Sequence, residues 1–288
     1  MSDLSNIKFI KELLSRHGFS FSKSLGQNFI ANPEICPRMA ELSLPGENTG
    51  VIEIGPGLGV LTRELAVRAK KVAAVEIDKR LIPILDETLD GLDNVTVINE
   101  DIMKLDLKAL IAEQFPGMEV VVCANLPYYI TSPVIMMLLE SRPGIKSITA
   151  MVQKEVADRL LARVGSRDSG AVTVAVNYYS EPELLFNVSR GSFIPPPNVD
   201  SAVIRLDVRD KPAADVDEKL FFRMVKAAFG QRRKTILNSV SAGLPVSKEK
   251  LREAAERAGI NVNSRAEQLQ MEQLARLCNE IHRGMDNT

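Results

Sequence analysis

The sequence predicts an α/β fold: a mostly parallel sheet flanked by helices over residues 1–209, then a small all-helical domain over residues 210–288. Three observations predict it. Short apolar runs alternate with amphipathic stretches from residue 50 onward, the pattern of successive βαβ units. A glycine-rich loop, Gly55-Pro56-Gly57-Leu58-Gly59, joins one such run to the helix that follows, at the strand end where parallel sheets place ligands. Composition shifts at Asp210-Lys211-Pro212, beyond which only helical spacing remains. The 288 residues suffice for one full α/β domain and a smaller second one.

The elements follow in order. Val51-Ile52-Glu53-Ile54 reads as a buried strand, and Leu58 to Ala69 has helical spacing. Lys71 to Ile77 is a second strand, and Lys79 to Asp90 a helix whose first turn is limited by Pro83. Val95 to Ile98 and Glu119 to Ala124 are further strands. Ser132 to Glu140 is a helix that tolerates Pro133 in its first turn. Ile145 to Val152 is a strand and Lys154 to Arg163 a helix. Ala171 to Tyr179 fits a strand, on its valines and tyrosines, or a buried helix. Leu184 to Val188 and Ser201 to Val208 read as strands closing the sheet, separated by the stiff run Phe193-Ile194-Pro195-Pro196-Pro197. Helices are expected over Glu218 to Phe229, Arg232 to Val240, Lys248 to Ala258 and Ser264 to His282. Ser264 and Glu267 have the spacing of a capping box.

Composition excludes several classes. Apolar residues make up 45% and charged residues 25% of the chain, ordinary globular values. No apolar run approaches the roughly 20 residues of a membrane span. The N-terminal stretch lacks the apolar core of a signal peptide, so a cytoplasmic protein is expected. Cys36, Cys123 and Cys278 are isolated, and the only histidines are His17 and His282. That leaves no metal-ligand spacing and no histidine triad, and no metal is expected. The net charge of −1 conceals clustering: Arg223, Lys226, Arg232, Arg233 and Lys234 occur without an acid between Phe221 and Val240, and Lys23 belongs to a second basic group. Such clusters either contact a polyanion with one face or are solvated helix surfaces.

The glycine loop departs from the dinucleotide fingerprint, because its sixth position is Val60. Glu76 ends the second strand, about 20 residues after the loop, where an acid can accept hydrogen bonds from ribose hydroxyls. Asp101 follows the third strand, where an acid can reach the exocyclic amine of an adenine. Gly55, Gly57, Glu76 and Asp101 together outline a site for an adenosine without pyrophosphate, and S-adenosylmethionine is the obvious such ligand. The fourth strand ends in Asn125-Leu126-Pro127-Tyr128. An amide oxygen at Asn125, helped by the Leu126 carbonyl, can draw an amine N–H out of its ring plane and restore a delocalised lone pair to nucleophilicity. Pro127 stiffens the turn, and Tyr128 can stack on a base. Phe193 is either the second wall of that pocket or a core phenylalanine.

The stretches Ser24 to Ile30, Glu53 to Gly59, Val75 to Asp78, Glu100-Asp101, Asn125 to Tyr128 and Phe193 to Ser201 resemble the ribosomal RNA adenine dimethyltransferase family, and within it the KsgA/RsmA type. They stand in family order across residues 20 to 208. The resemblance implies a Rossmann-like class I methyltransferase sheet with a small helical C-terminal domain that binds rRNA. It implies S-adenosylmethionine as cofactor, contacted by Asn28, Ile30, Gly55, Glu76, Asp101 and Asn125. Ile30 stands where leucine is commoner, a volume-conserving change. The resemblance further implies dimethylation of two adjacent adenosines in the last hairpin of small-subunit rRNA, on a pre-assembled small subunit. A monomer is expected.

The nearest alternative is the large-subunit rRNA methylase that confers macrolide resistance, which shares the chemistry. Pro195-Pro196-Pro197, Val199 and the C-terminal domain favour the small-subunit type. A DNA adenine methyltransferase is disfavoured by the lack of an added target-recognition domain. A non-enzymatic assembly factor is disfavoured by the intact loop, Glu76, Asp101 and Asn125.

Overall fold

A computed structural model of the chain describes residue 4 and residues 6–19, 29–43 and 46–286. Lys23 and the stretch up to Asn28 lie outside the described residues. The elements are α1 (Ile7–Arg16), β1 (Phe29–Ile30), α2 (Ile35–Ser43), β2 (Thr49–Ile54), α3 (Val60–Arg68), β3 (Lys71–Glu76), α4 (Ile82–Thr88), β4 (Val95–Asn99), α5 (Leu107–Gln114), β5 (Glu119–Asn125), α6 (Thr131–Ser141), β6 (Ile145–Gln153), α7 (Lys154–Leu160), α8 (Ala171–Tyr179), β7 (Ser180–Val188), β8 (Phe193–Ile194), β9 (Ser201–Val208), α9 (Glu218–Gly230), α10 (Ile236–Gly243), α11 (Lys248–Arg257) and α12 (Met271–Asp286). No described helix is long and apolar enough to cross a membrane.

Seven strands form one sheet in the order β4-β3-β2-β5-β6-β9-β7. Strands β4, β3, β2, β5 and β6 run parallel, and β9 is antiparallel to β6. The sheet grows from β2 through β3 to β4, then jumps back so that β5 pairs with β2 on the opposite side. At such a reversal the connections after the two central strands diverge and leave a crevice at their carboxyl ends. Burial on both faces explains the composition of the central strands: all six residues of β2 are buried, as are five of the six in β3. Helix α1, capped by the Asn6 side chain at the Lys8 N–H (2.9 Å), buries Ile10, Leu13 and Leu14 in a cluster with Phe29, Leu58, Ile84 and Leu85.

The chain divides into two compact units, residues 1–157 with 182–208, and residues 158–181 with 209–288. The second unit therefore takes in α8, the segment compatible with either strand or helix. It is a helix, because tertiary packing outweighs the strand preference of its valines. Tyr178 stacks on Phe221 with ring centroids 5.3 Å apart and meets Phe222 edge-on at 5.2 Å, while Tyr179 stacks on Phe222 at 5.5 Å. The Tyr179 hydroxyl donates to Glu218 at 2.7 Å.

Two expectations for the C-terminal helices are corrected. Helix α10 begins at Ile236 rather than Arg232, because Thr235 is its cap and accepts from the Asn238 N–H. Ser264 and Glu267 do not form a capping box. A short 3-10 turn over Ala266–Gln268 intervenes, the Gln268 side chain accepts from the Arg265 N–H (2.7 Å), and α12 starts only at Met271. The Ser264 carbonyl instead accepts from the Ile236 N–H at 2.7 Å, satisfying a donor in the first turn of α10.

Candidate active site

The crevice at the carboxyl ends of β2, β3, β4 and β5 is lined by Ile30, Gly55, Gly57, Glu76, Asp101 and the turn Asn125-Leu126-Pro127-Tyr128. Residues from five separate stretches of sequence are thus brought together. Glu53, Ile77, Ile102 and Tyr129 also line it.

The glycine loop leaves β2 with its Gly55 N–H bonded to the Val75 carbonyl at 2.9 Å. Gly55 has a φ of +71°, and an added side chain there would meet nothing, so a ligand can approach this backbone directly. Gly59, with a φ of +83°, is constrained differently: a Cβ would fall 2.9 Å from Leu89 of the neighbouring hydrophobic cluster. Glu76 ties this loop to β3. Its carboxylate accepts from the Asp78 N–H at 2.8 Å and from the Gly57 N–H at 3.4 Å. Burial pushes its pKa up, and these backbone bonds partly offset that. Asp78 is itself held by Arg80 through two bonds, at 2.9 and 2.7 Å. The Asp101 carboxylate accepts from the Met103 N–H at 3.0 Å, which orients it across the end of β4.

Asn125 is the last residue of β5 and pairs with Met151 of β6. The Leu126 N–H donates to the Met151 carbonyl (3.3 Å), so the chain stays in register for one residue beyond the strand. The Pro127 carbonyl then accepts from the Ile130 N–H (3.1 Å) and the Thr131 hydroxyl (3.2 Å), closing the turn. The Tyr128 hydroxyl shares a 2.9 Å hydrogen bond with Ser201, a fully buried residue at the start of β9. The sequence motif includes Ser201 but does not reveal this contact, because the pairing spans 73 positions.

Phe193 requires a correction. It is 3% exposed, packs in the hydrophobic core with Ile30, Ile35 and Val203, and is not among the residues lining the crevice. Its role is to pair β8 with β1, opposite Ile30, so it supports the crevice from behind. Arg223 is exposed on α9, and Arg232, Arg233 and Lys234 are exposed in the turn before α10. The Arg232 guanidinium donates to the Arg167 carbonyl at 2.9 Å, which adds a further arginine to the basic group within the second unit.

The sheet order, the glycine loop and the strand-end acids define a class I methyltransferase. A family model described as ribosomal RNA adenine dimethylase matches residues 18–283. Ribosomal RNA small subunit methyltransferase A of Anoxybacillus flavithermus is 50% identical over 285 residues, covering 97% of each chain. The protein of the same name from Alkaliphilus oremlandii is 50% identical over 283 residues, covering 98% of this chain and 99% of its own. Among solved structures, the 23S rRNA methyltransferase ErmE is 30% identical with a TM-score of 0.68, over 88% of this chain and 100% of its own. A dimethyladenosine transferase from Plasmodium falciparum is 27% identical with a TM-score of 0.73, over 89% and 98%. The chain belongs to the ribosomal RNA adenine dimethylase family. It is an S-adenosylmethionine-dependent rRNA adenine dimethyltransferase. The crevice fits that cofactor: Gly55 leaves the backbone open to close approach, and the acids Glu76 and Asp101 suit a ligand with cationic groups.

Glu53 is the group with the clearest titration consequence. It is 1% exposed, and burial pushes its carboxyl up to about 8, with Glu76 adding to the rise and Thr62 opposing it. Between the ordinary value of 4.5 and about 8, the folded state keeps a proton that the unfolded state has lost. Stability is therefore greatest below the lower value and falls as pH rises towards the upper one, by up to about 1.4 kcal/mol per pH unit. Glu53→Gln should abolish this slope. Denaturant unfolding of both proteins across that window checks it: the variant's stability relative to the native protein should rise with pH. A difference that stays constant with pH would refute the buried proton.

Proposed function

We propose that this enzyme dimethylates the N6 amines of two adjacent adenosines in the 3′-terminal hairpin of small-subunit (16S) rRNA. On this reading it acts as a cytoplasmic monomer on a pre-assembled small subunit during ribosome biogenesis. One observation carries the choice of subunit. Relatives named for the small subunit are 50% identical over nearly the whole chain, whereas the 23S rRNA enzyme is 30% identical.

S-adenosylmethionine supplies an electrophilic methyl group on a sulfonium. In the proposed assignment Ile30, Gly55, Gly57 and the acids Glu76 and Asp101 bind it, together with Asn125; Asn28 is assigned on the family motif alone. Asn125 Oδ1 and the Leu126 carbonyl accept the N–H bonds of the target amine. This turns its lone pair out of conjugation and towards the cofactor half of the crevice. A neutral amide does so without burying a charge. The alkylated amine is a cation that loses its proton readily, so these groups position and stabilise rather than act as strong bases. Extrusion of the target base costs a few kcal/mol. Tyr128, its ring held by Ser201, returns part of that by stacking, about 1–3 kcal/mol. The helical unit binds rRNA through Arg223, Arg232, Arg233 and Lys234, with Lys23 assigned to the same task.

Methyl transfer to purified small and large ribosomal subunits tests the substrate. Two dimethyladenosines should appear in small-subunit RNA, and methylation of the large subunit instead would overturn the reading. Asn125→Ala should lower turnover at least about a hundredfold while cofactor affinity, read by calorimetry, stays within a few-fold. Glu76→Ala should show the reverse pattern. Reversing the charge of Arg232 and Arg233 should weaken subunit binding and flatten its dependence on salt, by about one unit of slope per lost phosphate contact. An unchanged slope would make the cluster a solvated surface.

A further inference from the structure

We propose that Tyr129 is a stacking platform for the nucleobase next to the target adenine in the RNA strand. The inference rests on the proposed RNA substrate and deepens it. Tyr129 is 54% exposed and is the one exposed aromatic side chain among the described residues. It lines the mouth of the crevice, directly after the catalytic turn. The two consecutive tyrosines differ in what holds them. Tyr128 is partly buried and tethered to Ser201, whereas the Tyr129 ring stands out towards solvent.

The surroundings point the same way. In the first unit the exposed large apolar side chains are Val67, Ile77, Met103, Tyr129, Leu184 and Val199. Four of them stand at the carboxyl edge of the sheet. Ile77 follows β3, Met103 lies just beyond β4, and Tyr129 just beyond β5. Val199 precedes β9, whose first residue pairs with Gln153 at the end of β6. Only Val67, near the end of α3, and Leu184, within β7, lie elsewhere. An apolar rim gathered at one functional edge marks a binding surface rather than scattered exposure.

The chemistry of the substrate supplies the occupant. When a base leaves its stack, the face of its neighbour is uncovered as well. An aromatic ring at the mouth of the pocket can cover that face, and it does so whatever the base. In the proposed reaction the neighbour is itself an adenine awaiting methylation, so Tyr129 would hold one substrate base outside the pocket while the other reacts.

A thermodynamic cycle tests this. The native enzyme, Tyr129→Ala and Tyr129→Phe are assayed on reconstituted small subunits carrying either a normal or an abasic nucleotide beside the target adenosine. Tyr129→Ala should lower kcat/KM on the normal substrate about ten- to a hundredfold, mostly through KM. Tyr129→Phe should restore it to within about threefold, since the ring rather than the hydroxyl stacks. The abasic substrate should cost the native enzyme about as much as Tyr129→Ala does, and combining the two should add little. Cofactor affinity should stay within about twofold in both variants, which reads out an intact fold. Equal losses from Tyr129→Ala on both substrates would overturn the proposal. Failure of the native enzyme on the normal substrate would instead overturn the RNA reading beneath it.

Discussion

The pairing of β5 with β2 sets the positions of nearly everything else in the catalytic unit. Once the sheet has grown from β2 to β4, the chain crosses back, and Ile54 and Ala124 become partners at the carboxyl ends of adjacent strands. The glycine loop and Asn125 each follow one of these residues directly. Two segments about 70 positions apart are thereby fixed side by side through a backbone ladder, without any side-chain interaction having to bring them together. The alternation of strand and crossover helix leaves the strand ends free to carry polar groups, while the strands between them are mostly apolar.

The edge so formed concentrates acidic side chains. Glu53, Glu76, Glu100 and Asp101 all line the crevice, and the structure handles them in different ways. Glu76, Glu100 and Asp101 each accept from backbone N–H groups, and Glu53 retains its proton. A buried carboxyl beside another acid is costly to ionise. The arrangement is tolerable because each acid has its own remedy, and it leaves a field that favours a cationic ligand.

Much of this was legible in the sequence. The strand order could not be read, but the strand ends could, because a glycine loop, Glu76, Asp101 and Asn125 each terminate an apolar run. Burial and polarity change there within a residue or two, and that change is visible in a single sequence. Contacts between distant positions were not legible. The Tyr128–Ser201 bond depends on β9 returning antiparallel beside β6. Phe193 shows the opposite difficulty, since an aromatic beside a proline run looks the same whether it faces a pocket or the core. The helicity of α8 was hidden because its valines and tyrosines carry strand propensity, and the rings that hold it as a helix lie some 40 residues further on, at Phe221 and Phe222. The capping spacing at Ser264 misled because a local pattern of two residues is weak against a 3-10 turn held by Gln268.

The clasp of Tyr178 and Tyr179 around Phe221 and Phe222 bears on how the chain can be made and cut. The helical unit is assembled from two separated stretches, and residues 182–208 of the sheet lie between them. During synthesis α8 leaves the ribosome well before its aromatic partners, so two of the largest rings in that unit wait unpaired while β9 is threaded into the sheet. A fragment ending near residue 209 would retain those tyrosines without the phenylalanines that cover them. The helical part is accordingly a poor candidate for removal as a simple tail. Its natural seam runs through three points of the chain, after residues 157, 181 and 208, and an insertion or fusion that respects only the last of them would leave an aromatic surface bare.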